Sequence, residues 1–219
     1  MVDIGLYESM RTLRAVRRLK TDPIPDDVLH RVLEAATWAP TGSNTQPLRF
    51  IVVKDGNRKE PLGALYKKIW RIFANQYSGG LAALPDDIRE KYERMIRAGD
   101  YLADHFHEAP AIVVFCFNPK EIAITDEKLD RISVVGGASI YPAVENLLLA
   151  CRAEGLGCTL TTLLCTYEAE VREILNIPEP WGTAAAVPIG YPILGGHGPI
   201  SRRSVKELAF TDSWGEPFE

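Results

Sequence analysis

The stretch that decides the fold runs from residue 35 to residue 53 and reads Ala-Ala-Thr-Trp-Ala-Pro-Thr-Gly-Ser-Asn-Thr-Gln-Pro-Leu-Arg-Phe-Ile-Val-Val. An amphipathic helical pattern stops at Pro40, a small polar loop continues to Pro47, and a β-branched apolar run follows at once. The sequence therefore predicts a helix, a loop and a strand in direct succession. The loop carries hydroxyl and amide side chains and no charge, which suits a neutral, flat, hydrogen-bonding ligand.

The alternative for this loop is a solvent-exposed turn, because Thr, Gly, Ser, Asn and Pro are ordinary turn formers. However, Ala-Pro-Thr-Gly-Ser-Asn-Thr-Gln-Pro resembles the Ala-Pro-Ser-x-x-Asn-x-Gln-Pro-Trp stretch of the FMN-dependent nitroreductase family. Leu48 stands where that family has Trp. The resemblance implies that the loop contacts flavin through Thr41, Gly42, Ser43, Asn44 and Gln46.

Composition excludes several classes of function. The chain has 219 residues and a net charge of -4, so the totals give no support for a general nucleic-acid or membrane-surface partner. No apolar run approaches the roughly 20 residues of a membrane span, and the acidic N-terminus is unlike a secretory signal. We expect one cytoplasmic domain over residues 1–219.

The sequence gives no sign of a metal site or a disulfide. The cysteines form no Cys-x-x-Cys pair and lie in apolar surroundings, which indicates reduced, packed thiols. His105 and His107 are two residues apart, so a helix would point them to different faces. The cysteines are Cys116, Cys151, Cys158 and Cys165.

The densest positive patch lies near the N-terminus. Residues 6–18 predict a helix with arginines gathered at its end, where cations complement the helix dipole. The second interpretation is a phosphate site, because guanidinium groups match phosphate oxygens and stay charged. The arginines are Arg11, Arg14, Arg17 and Arg18.

Leu-Arg-Ala-Val-Arg-Arg-Leu, residues 13–19, resembles the family's Arg-Arg-Ser-x-Arg-x-Phe motif. Arg14, Ala15 and Arg17 fall on its FMN-binding positions, whereas Leu13 and Ala15 replace the first Arg and the Ser. The resemblance implies that Arg17 lies near the N1/C2-carbonyl edge of FMN, where positive charge favours the reduced flavin.

Two helical patterns, at about 58–78 and 86–107, separate the first strand from the next. Helices of this kind commonly just close a core. In the resembled family this region often forms a mobile lid over the flavin, which would make Trp70, Phe73 and Tyr77 candidates for substrate contact.

Further along the chain, the apolar run 111–117 predicts a central strand covered on both faces. A buried helix should begin near Tyr141, with Pro142 in its first turn, and end before a Gly155 cap. Strands are expected at 158–162 and 183–190.

The resemblance places Leu160, Thr161 and Thr162 along the central ring of the flavin, with Thr162 bonding N5. Ordinary β-propensity explains threonines in a strand equally well. Near the C-terminus, Arg202 matches a phosphate-binding Arg of the family and Arg203 is the second candidate, although Ser204 replaces an expected Pro.

Together the motifs imply an α+β nitroreductase-like fold, with a mostly antiparallel central sheet flanked by helices, in an intertwined homodimer. Trp214 and Phe218 look suited to packing on another subunit. The sequence has no Ser-His-Asp set or paired acid and base, so the chemistry would take place on FMN, with no catalytic side chain.

The resemblance implies electron transfer from NADH or NADPH to a small-molecule acceptor of the nitroaromatic or quinone type. Two alternatives stay open. One is a reductive dehalogenase or flavin-processing relative of the same fold. The other is a flavin-sequestering protein with little turnover.

Overall fold

The computed structural model describes residues 4–218. Four strands form its single described sheet, and short 3₁₀ turns connect several of the helices. The helices are α1 Leu6–Thr12, α2 Asp26–Thr37, α3 Gly56–Ser78, α4 Asp86–His105, α5 Tyr141–Ala153, α6 Glu168–Leu175 and α7 Val205–Leu208. The strands are β1 Leu48–Val53, β2 Ala111–Phe117, β3 Gly157–Cys158 and β4 Gly182–Gly190.

The sheet has the order β1-β2-β4-β3, and every neighbouring pair is antiparallel. Phe50 of β1 pairs with Phe115 of β2, and Val113 of β2 pairs with Val187 of β4. The inner strands β2 and β4 are buried along almost their whole length. The predicted α+β class, the antiparallel sheet and the central position of 111–117 are confirmed.

The two faces of β2 contribute to two separate cores, because successive side chains of a strand point to opposite faces. Val113 and Phe115 pack with residues of α2 and α5. Ile112 and Val114 pack with residues of α3, α4 and α6. The sheet is therefore covered by helices on both sides.

Helix α5 behaves as its sequence predicts. It begins at Tyr141 with Pro142 in the first turn, and it buries residues along its length. After the helix, Gly155 adopts a φ of +74°, and the Leu156 N–H donates to the Cys151 carbonyl at 2.8 Å. A glycine in this left-handed conformation is the usual helix C-terminal cap.

The prediction of one helix over 6–18 was wrong, because α1 ends at Thr12. The following backbone is extended and pairs with distant segments. The Val16 N–H donates to the Cys158 carbonyl at 2.9 Å, and the Lys20 N–H donates to the Tyr191 carbonyl at 2.8 Å. Of the four clustered arginines, only Arg11 lies in the last helical turn, so the dipole explanation fails for the other three.

The predicted strand 158–162 is also shorter than expected. β3 ends at Cys158, and Thr161 makes only one isolated bridge, to Ala186. The Thr161 Oγ1 accepts a hydrogen bond from the Leu163 N–H at 3.2 Å. This side-chain bond competes with strand pairing and leads the chain into a 3₁₀ turn after Thr162.

The helical patterns at 58–107 are confirmed as α3 and α4, which pack on each other. Trp70 was expected to be available for substrate contact, but its ring packs against Gly99 and its indole N–H donates to Asp100 at 2.8 Å. Phe73 and Tyr77 are 37% and 44% exposed, so they remain accessible. Mobility of this insertion stays a prediction.

Two further findings concern residues 4–218 alone. None of their helices is long and apolar enough to cross a membrane. These residues also contain no group of three or more His, Cys, Asp or Glu placed to hold a metal ion.

Candidate functional site

Four separated stretches of sequence meet around one cavity of about 280 Å³, which we call the arginine cavity. They are the end of α1 with the extended segment after it, helix α5 through Glu145 and Leu148, the end of β3 with the segment that follows it, and the chain that precedes α7. Five of the predicted flavin contacts line this cavity: Arg14, Ala15, Arg17, Leu160 and Arg202. Arg203, the weaker basic candidate, is not among its lining residues.

The segment 196–202 is tied to the N-terminal segment by backbone contacts. The Gly198 N–H donates to the Thr12 carbonyl at 3.0 Å, and the Arg14 Nε donates to the Pro199 carbonyl at 3.0 Å. The Arg14 Nη2 donates to the same carbonyl. Arg14 therefore holds the wall of the cavity with one edge of its guanidinium group and leaves Nη1 for a ligand.

A buried phenol lies beside Arg17. Tyr66 of α3 is 3% exposed and stacks on Phe106 with ring centroids 4.4 Å apart. Burial raises the pKa of Tyr66, and the nearby Arg17 charge and Thr161 hydroxyl act in the opposite direction. The charge of Arg17 therefore acts on a buried residue of the helical insertion.

The three residues Leu160, Thr161 and Thr162 do not face the same way. Leu160 is 40% exposed and lines the arginine cavity, whereas the Thr161 side chain is buried. Thr162 lines a second, larger cavity. Within residues 4–218, the Thr162 backbone N–H donates to no protein acceptor, so it is available to a ligand.

The larger cavity has a volume of about 710 Å³ and was not anticipated from the sequence. It lies between the ends of β2 and β4 and the start of α5, and Phe117, Ile124, Tyr141, Thr162 and Thr166 are among its lining residues. None of the described residues that line it carries a charge. The lining residues are scattered between 117 and 184 without a common period, so no local pattern could have predicted it.

One wall of the larger cavity is held by Asp126, which is 5% exposed. Its carboxylate accepts hydrogen bonds from the Ser133 hydroxyl at 2.6 Å and the Arg131 guanidinium at 2.7 Å. The Ser133 hydrogen bond is the main cause that lowers the Asp126 pKa, which favours the ionised carboxylate. This carboxylate holds Ser133, one of the residues that line the cavity.

Cys165 is the thiol in this lining. Burial raises its pKa, and its Sγ donates to the Thr183 carbonyl at 3.3 Å. A thiol that stays protonated is a poor nucleophile. Cys165 therefore lines the cavity with a thiol that is hydrogen-bonded to the backbone.

The loop 41–46 lies apart from the arginine cavity. Ser43, Asn44 and Gln46 all have positive φ, between 51° and 55°. Non-glycine residues in this region cost about 1–3 kcal/mol each and are concentrated at functional sites. The resemblance implied a flavin contact at Gly42, and in this structure the Gly42 N–H donates to the Ser139 Oγ at 2.9 Å. Thr41 and Gln46 line a different cavity, of about 290 Å³.

The comparison with protein families decides the identity of the fold. A model of the Nitroreductase family matches residues 10–191, which include most residues that line the arginine cavity but not Ile200 and Arg202. The chain belongs to the Nitroreductase family. The recognition made from the loop and the arginine motif is confirmed.

Three known proteins illustrate the range within this family. The chain is 30% identical to the 5,6-dimethylbenzimidazole synthase of Rhodospirillum rubrum, over 86% of this chain and 82% of the relative. It superposes on an iodotyrosine deiodinase bound to FMN and 3-iodo-L-tyrosine with a TM-score of 0.70 and 23% identity, covering 92% of this chain and 96% of the other.

The third is the NADPH:FMN oxidoreductase from Vibrio harveyi complexed with NAD+, which superposes with a TM-score of 0.65 and 18% identity. The match covers 96% of this chain and 78% of the other. Proteins similar to this chain therefore differ in the activities that their names describe, and the structural likeness by itself establishes only the fold.

Proposed function

We propose that this protein is an FMN-dependent oxidoreductase that passes electrons from NADH or NADPH to a small, neutral organic acceptor. The observation that carries the proposal is the arginine cavity, in which Arg14, Arg17 and Arg202 meet from two ends of the chain. Glu145 also lines this cavity, so its charged lining residues are three arginines and one glutamate. This excess of positive charge suits a phosphate-bearing ligand.

The residues present fit FMN. Because Leu13 and Ala15 have no side-chain donors, Arg14 and Arg202 would hold the phosphate. The 280 Å³ cavity would take the phosphate end, and the ring would extend along Leu160 and Thr162 toward the larger cavity. The family match and an FMN-bound structural relative support this assignment.

When bound, FMN supplies the hydride and electron transfer between the nicotinamide donor and the acceptor. Arg17 would place a fixed positive charge at the N1 edge of the ring and so favour the reduced form. The available Thr162 N–H would donate a hydrogen bond at N5. The protein thus contributes position and electrostatics, and we propose no catalytic side chain.

The uncharged lining of the larger cavity supports a neutral acceptor such as a quinone or a nitroaromatic. A charged or zwitterionic ligand would lose its hydration there without gaining a partner of opposite charge. The deiodinase relative is bound to an iodinated amino acid, which carries such charges. This cavity therefore favours a reductase over a deiodinase.

We also propose a homodimer in which the partner's loop completes the site. Within one chain, no residue of loop 41–46 lines the arginine cavity. The loop is exposed and conformationally strained, and Trp214 and Phe218 are 91% and 50% exposed in the tail. A second copy would bury these groups and exclude water from the flavin.

The 30% identity with a 5,6-dimethylbenzimidazole synthase favours a second candidate, in which flavin is the substrate. The two candidates differ in what happens to the flavin. An oxidoreductase returns FMN unchanged after many cycles, whereas a flavin-processing enzyme consumes it.

The experiment begins with the absorption spectrum of the purified protein and chromatography of the released cofactor. Oxidation of NADH or NADPH is then followed with menadione or a nitroaromatic as acceptor, and FMN is quantified before and after. Yellow protein, acceptor-dependent oxidation and intact FMN support the proposal. A colourless protein that FMN titration leaves unchanged overturns it. Loss of FMN would favour the second candidate, and bound flavin without turnover would indicate sequestration.

A further inference from the structure

We propose that Arg18 and Tyr101 form a clamp that aims Arg17 into the arginine cavity, so that helix α4 helps to set flavin affinity. The inference rests on the proposed function, because flavin binding is its readout. Neither residue lines the arginine cavity, so both would be positioning residues.

The clamp is a cation–π contact. The Arg18 Cζ lies 4.0 Å from the centroid of the Tyr101 ring, well within the range of this interaction. On α4, Tyr101 stacks on His105 with centroids 4.2 Å apart, and the His105 Nδ1 lies 3.0 Å from the Glu108 carboxylate. The Tyr101 ring is therefore held in place by His105, which in turn contacts Glu108.

The extended backbone links the Arg18 contact to the direction in which the Arg17 side chain points. Successive side chains of an extended segment point to opposite sides. Arg17 lines the cavity, and Arg18 lies over α4. The backbone around these residues is bonded to neighbouring segments through the Val16 N–H, the Lys20 N–H and the Arg18 carbonyl, which accepts from the Ile193 N–H at 3.1 Å. The Arg18–Tyr101 contact adds a side-chain anchor at the residue next to Arg17.

Helix α4, which carries Tyr101, is held in place by several contacts with α3. Trp70 of α3 packs directly on Gly99 and donates to Asp100, two residues and one residue before Tyr101. The Lys67 ammonium also pairs with Asp104 at 2.7 Å. The same helix α3 carries Tyr66, whose pKa the Arg17 charge acts to lower. Helix α4 is therefore held by the helix whose Tyr66 responds to the charge of Arg17.

The experiment compares FMN binding by Tyr101→Leu, Tyr101→Phe and Arg18→Met with that of the unmodified protein. The Tyr101 substitutions are the decisive ones because they leave net charge unchanged. Tyr101→Leu removes the aromatic face, whereas Tyr101→Phe keeps it. Arg11→Met is the control, because Arg11 is exposed, pairs with Glu8 on α1 and does not line the cavity.

For each variant, flavin fluorescence gives the dissociation constant of oxidised FMN, and a redox titration gives the midpoint potential. We expect Tyr101→Leu and Arg18→Met to weaken FMN binding two- to fivefold, the range that an exposed cation–π contact supports. Both should also lower the midpoint potential, because a misdirected Arg17 favours reduced FMN less. Tyr101→Phe and Arg11→Met should bind like the unmodified protein.

A purely structural contact would lower the melting temperature without changing the dissociation constant or the potential, and that result would overturn the clamp. Equal weakening by Tyr101→Leu and Tyr101→Phe would overturn it as well. If the double variant Arg18→Met/Tyr101→Leu shows the product of the two single effects, the residues act independently and the clamp is wrong. Failure of the proposed function looks different, since the unmodified protein would then bind no FMN.

Discussion

Trp70 and Gly99 pack so closely that a Cβ atom on Gly99 would lie 1.9 Å from the Trp70 Cζ2. The contact joins α3 to α4 through the rigid indole ring of Trp70, which lies directly against the Gly99 backbone. It occupies part of the Trp70 ring, and it makes Gly99 a position where even one methyl group is excluded.

The first prediction is that Gly99→Ala lowers the free energy of unfolding by about 1–3 kcal/mol, the usual cost of overpacking. The better helix propensity of Ala would offset part of this loss. Urea denaturation measures the change. Gly80→Ala is the control, because nothing lies within 4 Å of its added Cβ. Equal stability of both variants would show that the helices separate easily.

The second prediction separates the roles of Arg17 and Arg202. Loss of a partly buried charged hydrogen bond costs about 1–3 kcal/mol of interaction free energy. For a two-electron couple, 1.4 kcal/mol corresponds to a shift of about 30 mV in midpoint potential. Arg17→Ala should therefore lower the FMN midpoint potential by tens of millivolts. Arg202→Ala should weaken FMN binding and change the potential little. Equal potential shifts in the two flavin-loaded variants would refute these roles.

The third prediction tests the larger cavity as the acceptor site. Thr166 is exposed and lines it, so Thr166→Trp should fill the space and raise KM for a neutral quinone by about tenfold, equivalent to about 1.4 kcal/mol. The FMN dissociation constant should stay unchanged. Thr21→Trp makes the same substitution at an exposed site away from the cavity. Unchanged KM in Thr166→Trp would place the acceptor elsewhere.

The fourth prediction concerns His197, which lies in the same segment, 196–202, as Arg202. Its Nε2 is 2.9 Å from the Leu156 carbonyl and donates to it, which leaves a buried Nδ1 without a partner in the described chain. Burial is the main cause that lowers the His197 pKa, and the Arg152 charge acts in the same direction.

Because the His197 pKa is lower in the folded state, the unfolded chain binds more protons below about pH 6.5. Stability from this group is complete above that pH and is lost as the pH falls toward the folded-state pKa. Urea denaturation at pH 7.5 and 5.5 should show a smaller loss in His197→Asn than in the unmodified protein. His30→Asn, on the exposed side of α2, serves as the control. Parallel losses in all three proteins would exclude His197 as the cause.

The fifth prediction is the homodimer. Light scattering should show two copies, and Trp214→Ser should raise the dimer dissociation constant by at least tenfold if this exposed ring anchors the interface. Trp214→Phe should retain most of the affinity. A flavin-loaded monomer would contradict both the dimer and the shared site.

The sequence by itself determined the elements whose signals are local. The continuous apolar run identified β2 from Ala111 to Phe117 to the residue. The start of α5 at Tyr141 followed from Pro142, and its termination followed from Gly155. Proline restricts φ and glycine permits a positive φ wherever they occur, so these boundaries need no information from the rest of the chain.

Tertiary structure decided the features that depend on distant partners. α1 ends at Thr12 because the backbone beyond it bonds to Cys158 and Tyr191, although the local pattern favoured a longer helix. The sequence made Trp70 a candidate ligand contact, whereas in the fold its ring packs against Gly99. The larger cavity likewise exists only where the ends of two strands and a helix come together.

The candidate site also combines features that the local sequence determines with features that only the tertiary structure determines. The sequence identified Arg14, Arg17 and Arg202 by their charge and motifs, but 185 positions separate Arg14 from Pro199, the residue to which it bonds in the cavity wall. Only folding could bring these groups together, or turn Arg18 away onto Tyr101 while Arg17 faces the cavity. Residue type fixes which charges are available, whereas the pairing of distant backbone segments fixes where those charges point.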